Sequence, residues 1–124
     1  MNQAKARPWP LELRLSKDRR ALEVRFDDGV SFVLSAEYLR VMTPSAEDRG
    51  HGAGPGRCVD GKHDVALSDI QPVGRYAARL VFDDGHDTGL YSWEELYRLG
   101  KDEPLLWGAY LRRLEREGLS RDRT

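Results

Sequence analysis

The chain has 124 residues, of which 40% are apolar and 33% charged; this supports one globular domain with a real core and excludes an intrinsically disordered chain. Twenty basic residues face twenty-one acidic ones, a net charge of -1, so no overall field gathers phosphate backbones or anionic lipid, and neither nucleic acid nor membrane is an expected partner. No apolar run reaches the roughly 18 residues of a membrane span, the polar opening from Met1 to Pro10 lacks the apolar core of a signal peptide, and the one cysteine, Cys58, allows neither an internal disulfide nor a four-cysteine metal centre, so a cytoplasmic protein held together by packing is expected.

Residues 1–9 read as a flexible N-terminus and 10–118 as the single domain. Leu11-Glu12-Leu13-Arg14-Leu15 and Leu22-Glu23-Val24-Arg25-Phe26 alternate apolar and charged residues, the pattern of half-buried strands, and Ser16 to Arg20 can turn the chain between them. Asp27-Asp28-Gly29 follows, then Val30, Phe32 and Leu34 on one face. A two-residue turn would set Phe26 opposite Ser31. A three-residue turn with Gly29 in the left-handed conformation sets Phe26 opposite Val30 and keeps the large apolar groups together, and it is the predicted form. Ser35 can cap a helix beginning at Ala36.

The glycine-rich stretch 41–62, with five glycines and two prolines, reads as a long loop that is either mobile or functional. Val65 and Leu67 restart a strand, and Ile70 to Gly74 are expected to bend the chain. Then the first unit repeats: Tyr76, Ala78, Leu80 and Phe82 alternate into Asp83-Asp84-Gly85, 56 positions after the first Phe-Asp-Asp-Gly. Ser92 precedes Trp93-Glu94-Glu95-Leu96-Tyr97, with Glu95 placed to complete a capping box. One extra residue lies between this glycine and this serine, which predicts a bulge near Gly89. Asp102-Glu103-Pro104 opens a last helix whose Trp107, Tyr110, Leu111 and Leu114 share a face and which Gly118 ends; 119–124 reads as a frayed tail. The fold class is therefore α+β: a mainly antiparallel sheet built from two related hairpin–helix halves sharing it, with a C-terminal helix packed on top.

The repeat aligns His86 with Val30, so an imidazole stands where the other half has an aliphatic group, and Asp84 and Asp87 are near enough in sequence to orient it. Two readings follow. In one, Asp84, Gly85, His86 and Asp87 form part of an interaction surface. In the other, His86 joins His51, Glu47 and Asp48 of the long loop in a mixed oxygen and nitrogen metal site for a divalent ion, zinc or iron. A turn histidine in a structural role, beside a solvated glycine-rich loop, accounts for the same residues without any ligand. Gly56 to Lys62 has the glycine and lysine spacing of a phosphate-binding loop, but His63 replaces the magnesium-binding hydroxyl and a strand follows instead of a helix, so chance explains the match. Cys58 and His63 lack an orienting third group for nucleophilic catalysis. The arginines between Arg112 and Arg123 read as a solvated helix end, and Trp93, Tyr97 and Trp107 as core.

Asp83-Asp84-Gly85-His86, then Tyr91-Ser92-Trp93, with Leu39-Arg40 ending the first half, resemble the gamma-butyrobetaine hydroxylase-like N-terminal domain over residues 10 to 100. In the hydroxylase such a domain precedes an iron and 2-oxoglutarate oxygenase domain and holds zinc through a Cys-Pro-Cys-x-x-Cys run and the histidine of Asp-Gly-His. Here Thr43, Pro44, Ser45 and Asp48 occupy that run and His86 alone matches, so a thiolate zinc site is not expected. Pro44-Ser45-Ala46-Glu47 with Gly50-His51-Gly52 is similar to stand-alone bacterial members. Similar domains joined to iron-sulfur cluster carriers imply a link to iron or iron-sulfur metabolism. The expectation is a noncatalytic accessory domain binding a protein partner, with no certain cofactor; the alternative is a metal-binding protein, and an enzyme in its own right ranks last because no complete catalytic constellation is present.

Overall fold

The computed structural model describes residues 8–43 and 58–122. Strand β1 (Pro10–Leu15) pairs with β2 (Ala21–Phe26), which pairs with β3 (Ser31–Ser35), and helix α1 (Ala36–Val41) follows. The second half repeats this with β4 (Leu67–Val73), β5 (Ala77–Phe82), β6 (Gly89–Ser92) and α2 (Trp93–Lys101), and α3 (Glu103–Glu117) ends the regular structure. All pairings are antiparallel. The α+β class is as the sequence predicts, but the single shared sheet is not: each half keeps a three-stranded sheet of its own. The apolar faces nevertheless meet. Leu22, Val24, Phe26 and Leu34 of the first sheet share one buried cluster with Leu67, Ala78, Leu80, Phe82 and Tyr91 of the second and with Tyr38, Leu39, Leu96 and Leu99 of the helices. Each fully buried Leu or Phe contributes roughly 1.5–3 kcal/mol, so neither sheet face is dispensable.

The turns take the predicted form. Phe26 N–H donates to the Val30 carbonyl at 2.9 Å and Gly29 N–H to the Phe26 carbonyl at 3.2 Å; Phe82, His86 and Gly85 give the same two bonds at the same lengths. Gly29 has φ +89° and Gly85 φ +92°, a region open to glycine and strained for other residues. The repeat extends to side chains. Asp28 Oδ1 accepts from Val30 N–H at 3.0 Å and Asp84 Oδ1 from His86 N–H at 3.1 Å. Asp27 Oδ1 accepts from Trp9 N–H and Asp83 Oδ1 from Ala66 N–H. Ser35 and Ser92 each cap a helix through an N–H three residues on.

Differences between the halves are equally local. Leu80 pairs with Gly89 although Phe82 faces His86, which leaves one unmatched residue before Gly89, the expected bulge. The capping box at Ser92 is half formed, because the Glu95 carboxylate bonds Arg98 instead of reaching back. Ile70 to Val73 do not bend away but complete β4, and the turn falls at Gly74, φ +58°.

The C-terminal tail corrects a further expectation. Residues 119–122 are tied down: the Ser120 carbonyl accepts from Gly61 N–H at 2.8 Å, the Arg121 carbonyl from His63 N–H at 3.0 Å, and the Arg121 guanidinium donates twice to Glu37. Backbone pairing and a charge pair reaching a carboxylate only 6% exposed hold what composition marks as a polar end.

Candidate functional site

The two halves place their turns reciprocally. Tyr97 of α2, in the second half, donates its hydroxyl to Asp28 Oδ2 in the turn of the first half at 2.7 Å. Arg40 of α1, in the first half, donates Nε to Asp84 Oδ2 in the turn of the second at 2.9 Å. Arg40 and Tyr97 are repeat-related, 57 positions apart. Each turn carboxylate is thus completed by the helix of the opposite half.

The first turn is finished with uncharged groups. Tyr97 packs edge-on to Phe26 and Phe32, with ring centroids 5.0 and 5.5 Å away, and Phe32 lies flat against Gly100, where a Cβ would come within 2.3 Å of its ring. The second turn is finished with charge. Lys62 Nζ lies 2.6 Å from Asp84 Oδ2, the atom that also accepts from Arg40. Gly89 stands where the first half has Phe32, and Thr43 where the second has Gly100. A Cβ on Gly89 would come within 2.9 Å of both Thr43 Oγ1 and the Tyr91 ring. His86 Nε2 and Thr43 Oγ1 share a hydrogen bond at 3.2 Å, and the imidazole is tilted against Phe82 with centroids 6.1 Å apart.

Asp84 is the electrostatic centre of this arrangement. Burial pushes its carboxyl up, but the Lys62 ammonium, the His86 N–H and the Arg40 guanidinium outweigh burial and hold it at about 2, below the usual 3.8. One carboxylate therefore faces two cations in a site where Arg40 is 7% exposed. Beside it opens a cleft of about 620 Å³ lined by Asp60, Lys62, Asp64, Asp83, Asp84 and Asp122 among others. Five carboxylates against one ammonium give that cleft an acidic wall.

Of the residues singled out in the sequence, His86 is buried at 7% exposure, so its ring supports the turn from inside and is not part of an outer contact face. Asp83, Gly85 and Asp87 are exposed, and the Asp84 carboxylate looks into the cleft with its side chain 17% exposed. Glu47, Asp48 and His51 lie outside the described residues. Among the described residues no three His, Cys, Asp or Glu side chains are grouped to hold a metal ion. Among the described residues, the groups around His86 do not make up the zinc site that the resemblance implies: Nε2 meets a hydroxyl, and both oxygens of the neighbouring carboxylate accept hydrogen bonds within the protein.

Sequence reasoning missed Arg40 and Lys62 as the partners of Asp84. The signal was present in the repeat, where a cation aligns with Tyr97. Lys62, noted for its phosphate-loop spacing, serves an ion pair instead, and His63 pairs with Asp122 at 3.3 Å. None of the described helices is long and apolar enough to cross a membrane.

The model of the family described as gamma-butyrobetaine hydroxylase-like, N-terminal, matches residues 13–97. The chain belongs to that family. Solved structures of relatives share the fold. Two determined by NMR in solution are 43% and 48% identical, with TM-scores of 0.81 and 0.80, and the match covers 94% and 98% of this chain and 92% and 90% of theirs. A protein of unknown function from Acidithiobacillus ferrooxidans, of the DUF971 family, is 41% identical with a TM-score of 0.62 over 73% of this chain and 91% of its own. No curated protein matches. The matched residues take in both Asp-Asp-Gly turns, α1 and the capped start of α2.

Proposed function

We propose that this member of the family is a noncatalytic accessory module that binds a protein partner through the face around its second Asp-Asp-Gly turn. The supporting observation is the contrast with the first turn. Val30, Phe32 and Tyr97 finish the same hairpin without a buried charge, so the fold itself does not call for Arg40, Lys62 and His86 at the second. A turn closed by charge where its twin is closed by rings, and opening beside an acidic cleft, fits recognition. The lining suits a partner surface rich in Lys or Arg, since opposite charge speeds encounter and fixes register. Catalysis has less support: burial pushes the Cys58 thiol up, away from the thiolate a nucleophile requires.

The test is capture of the partner from the native host with the full chain as bait. Asp60→Lys with Asp64→Lys, which reverses charge at the exposed rim of the cleft, is expected to weaken capture at least about tenfold, while Glu23→Lys on the first sheet leaves it unchanged. Equal capture by all three chains overturns the proposal. Stoichiometric metal in the purified protein, lost in His86→Ala and His51→Ala, would put a metal-binding function linked to iron or iron-sulfur metabolism in its place.

A further inference from the structure

Glu37 lies in the first turn of α1 with its side chain only 6% exposed. Both its oxygens accept from one group: Arg121 Nε and Nη2, each at 2.7 Å. The same guanidinium sits 5.3 Å above the Trp107 ring of α3. A carboxylate offering two parallel acceptors and an indole offering its face make up a socket matched to a guanidinium, and a lysine ammonium cannot supply the planar fork.

The group that fills the socket is carried by a short segment following the left-handed cap at Gly118 (φ +68°). Its backbone is held by three bonds: Leu119 N–H donates to the Leu114 carbonyl at the end of α3, and Gly61 N–H and His63 N–H donate to the Ser120 and Arg121 carbonyls. The arginine side chain is 38% exposed, and a cavity of about 330 Å³ adjoins it, lined in part by Arg20, Glu103 and Trp107. On its other side the segment contributes Asp122 to the wall of the acidic cleft. The segment is held by these bonds, the Arg121 pair and Leu119 packed beside Tyr110 and Leu114, yet its outer edge is open to solvent, so it opens at lower cost than the core, whereas the buried carboxylate it leaves behind demands a replacement cation.

We propose that residues 119–122 are a displaceable strap acting as an internal ligand, and that the Glu37–Trp107 socket takes an arginine from an extended segment of the partner. The incoming segment pairs with the Gly61 and His63 amides as the strap does, a strand-like mode in which main-chain bonds give affinity and the arginine gives specificity. Exchange moves Asp122 out of the cleft wall, which joins socket and cleft into one surface. This rests on the binding function proposed above but is tested separately.

Native-state hydrogen exchange on the unmodified full chain measures the strap directly. The Gly61 and His63 amides are expected to exchange by local opening, at least about a hundredfold faster than the core amides of Val24 and Leu80. Rates for these amides within threefold of the core overturn the strap. Full-length Arg121→Ala then tests the socket with the peptide Gly-Leu-Ser-Arg-Asp, the sequence of residues 118–122, followed by the Trp107 indole resonance. Saturation is expected at a peptide concentration about tenfold lower than the unmodified chain needs, because the tethered arginine no longer competes. No saturable shift in a folded variant, or an equal shift with lysine in place of the peptide's arginine, overturns the socket. Either result leaves the Asp60→Lys capture test standing on its own.

Discussion

The two Asp-Asp-Gly turns are built alike down to their bond lengths, and what closes over them differs in kind. At the first, Phe32, Tyr97 and a bare Gly100 interlock by shape. At the second, the aromatic position is Gly89, the bare position is Thr43 and the tyrosine is Arg40, so charge and hydrogen bonds do what ring packing does opposite. One hairpin frame thus carries two interiors. The frame is set by local geometry, while its cover is open to specialisation.

The largest effect is expected where shape alone holds the turn. Gly100→Val drives side-chain atoms into the Phe32 ring and is expected to cost about 3 kcal/mol in urea denaturation. Gly89→Ala meets the Thr43 hydroxyl and the edge of Tyr91 and is expected to cost about 1–2 kcal/mol, part of it regained with Thr43→Ala. If Gly89 proves the more sensitive, the division into a shape-closed and a charge-closed turn is wrong.

Next comes charge. The carboxyl of Asp84 is held at about 2 in the folded chain against an ordinary 3.8. Its contribution is therefore full above pH 4 and is lost as pH falls from about 4 towards about 2, and solvent reaching the carboxylate limits it to about 1–2 kcal/mol. Denaturation midpoints measured over that range should fall more steeply for the unmodified chain than for Asp84→Asn, while Asp28→Asn flattens the profile less, because the Asp28 carboxyl, lowered by the Tyr97 hydroxyl and the Val30 N–H, is exposed to solvent.

His86→Val rewrites the second turn in the manner of the first. Stability is expected to change by no more than about 1 kcal/mol, since Val30 occupies the equivalent position without difficulty. A much larger loss would show that the imidazole is demanded by the fold. The smallest effect is expected from Tyr97→Phe, which removes the hydroxyl donated to Asp28 but leaves the ring stack intact. A fall in thermal midpoint as large as that of Gly100→Val would make the hydrogen bond, not the rings, the closure of the first turn.

Features decided within a few residues were readable from the sequence. Gly29 and Gly85 announce left-handed turns because other side chains are strained there. Ser35 and Ser92 announce helix starts because a hydroxyl reaches an amide three residues on. The bulge before Gly89 follows from counting one residue more in the second copy. Features decided by distant encounters were not readable. Two separate sheets and one shared sheet present the same alternation, since the choice lies in which edges meet. Arg121 and Glu37 are 84 positions apart, and nothing in a run of polar residues says that one of them enters a socket. Arg40 was visible as the repeat partner of Tyr97, yet its contact with Asp84 depends on the two halves exchanging helices.

That exchange has a consequence for how the molecule holds together. Because each hairpin lacks its lid until the other half supplies one, the chain resembles a dimer whose two subunits happen to share a backbone. Separately produced, the first sheet with α1 and the second with α2 would each present an uncovered apolar surface and an incomplete turn, and each would find its complement in the other. Mutual dependence of this sort favours all-or-none unfolding, and it lets one subunit-like half drift in sequence while its twin preserves the frame.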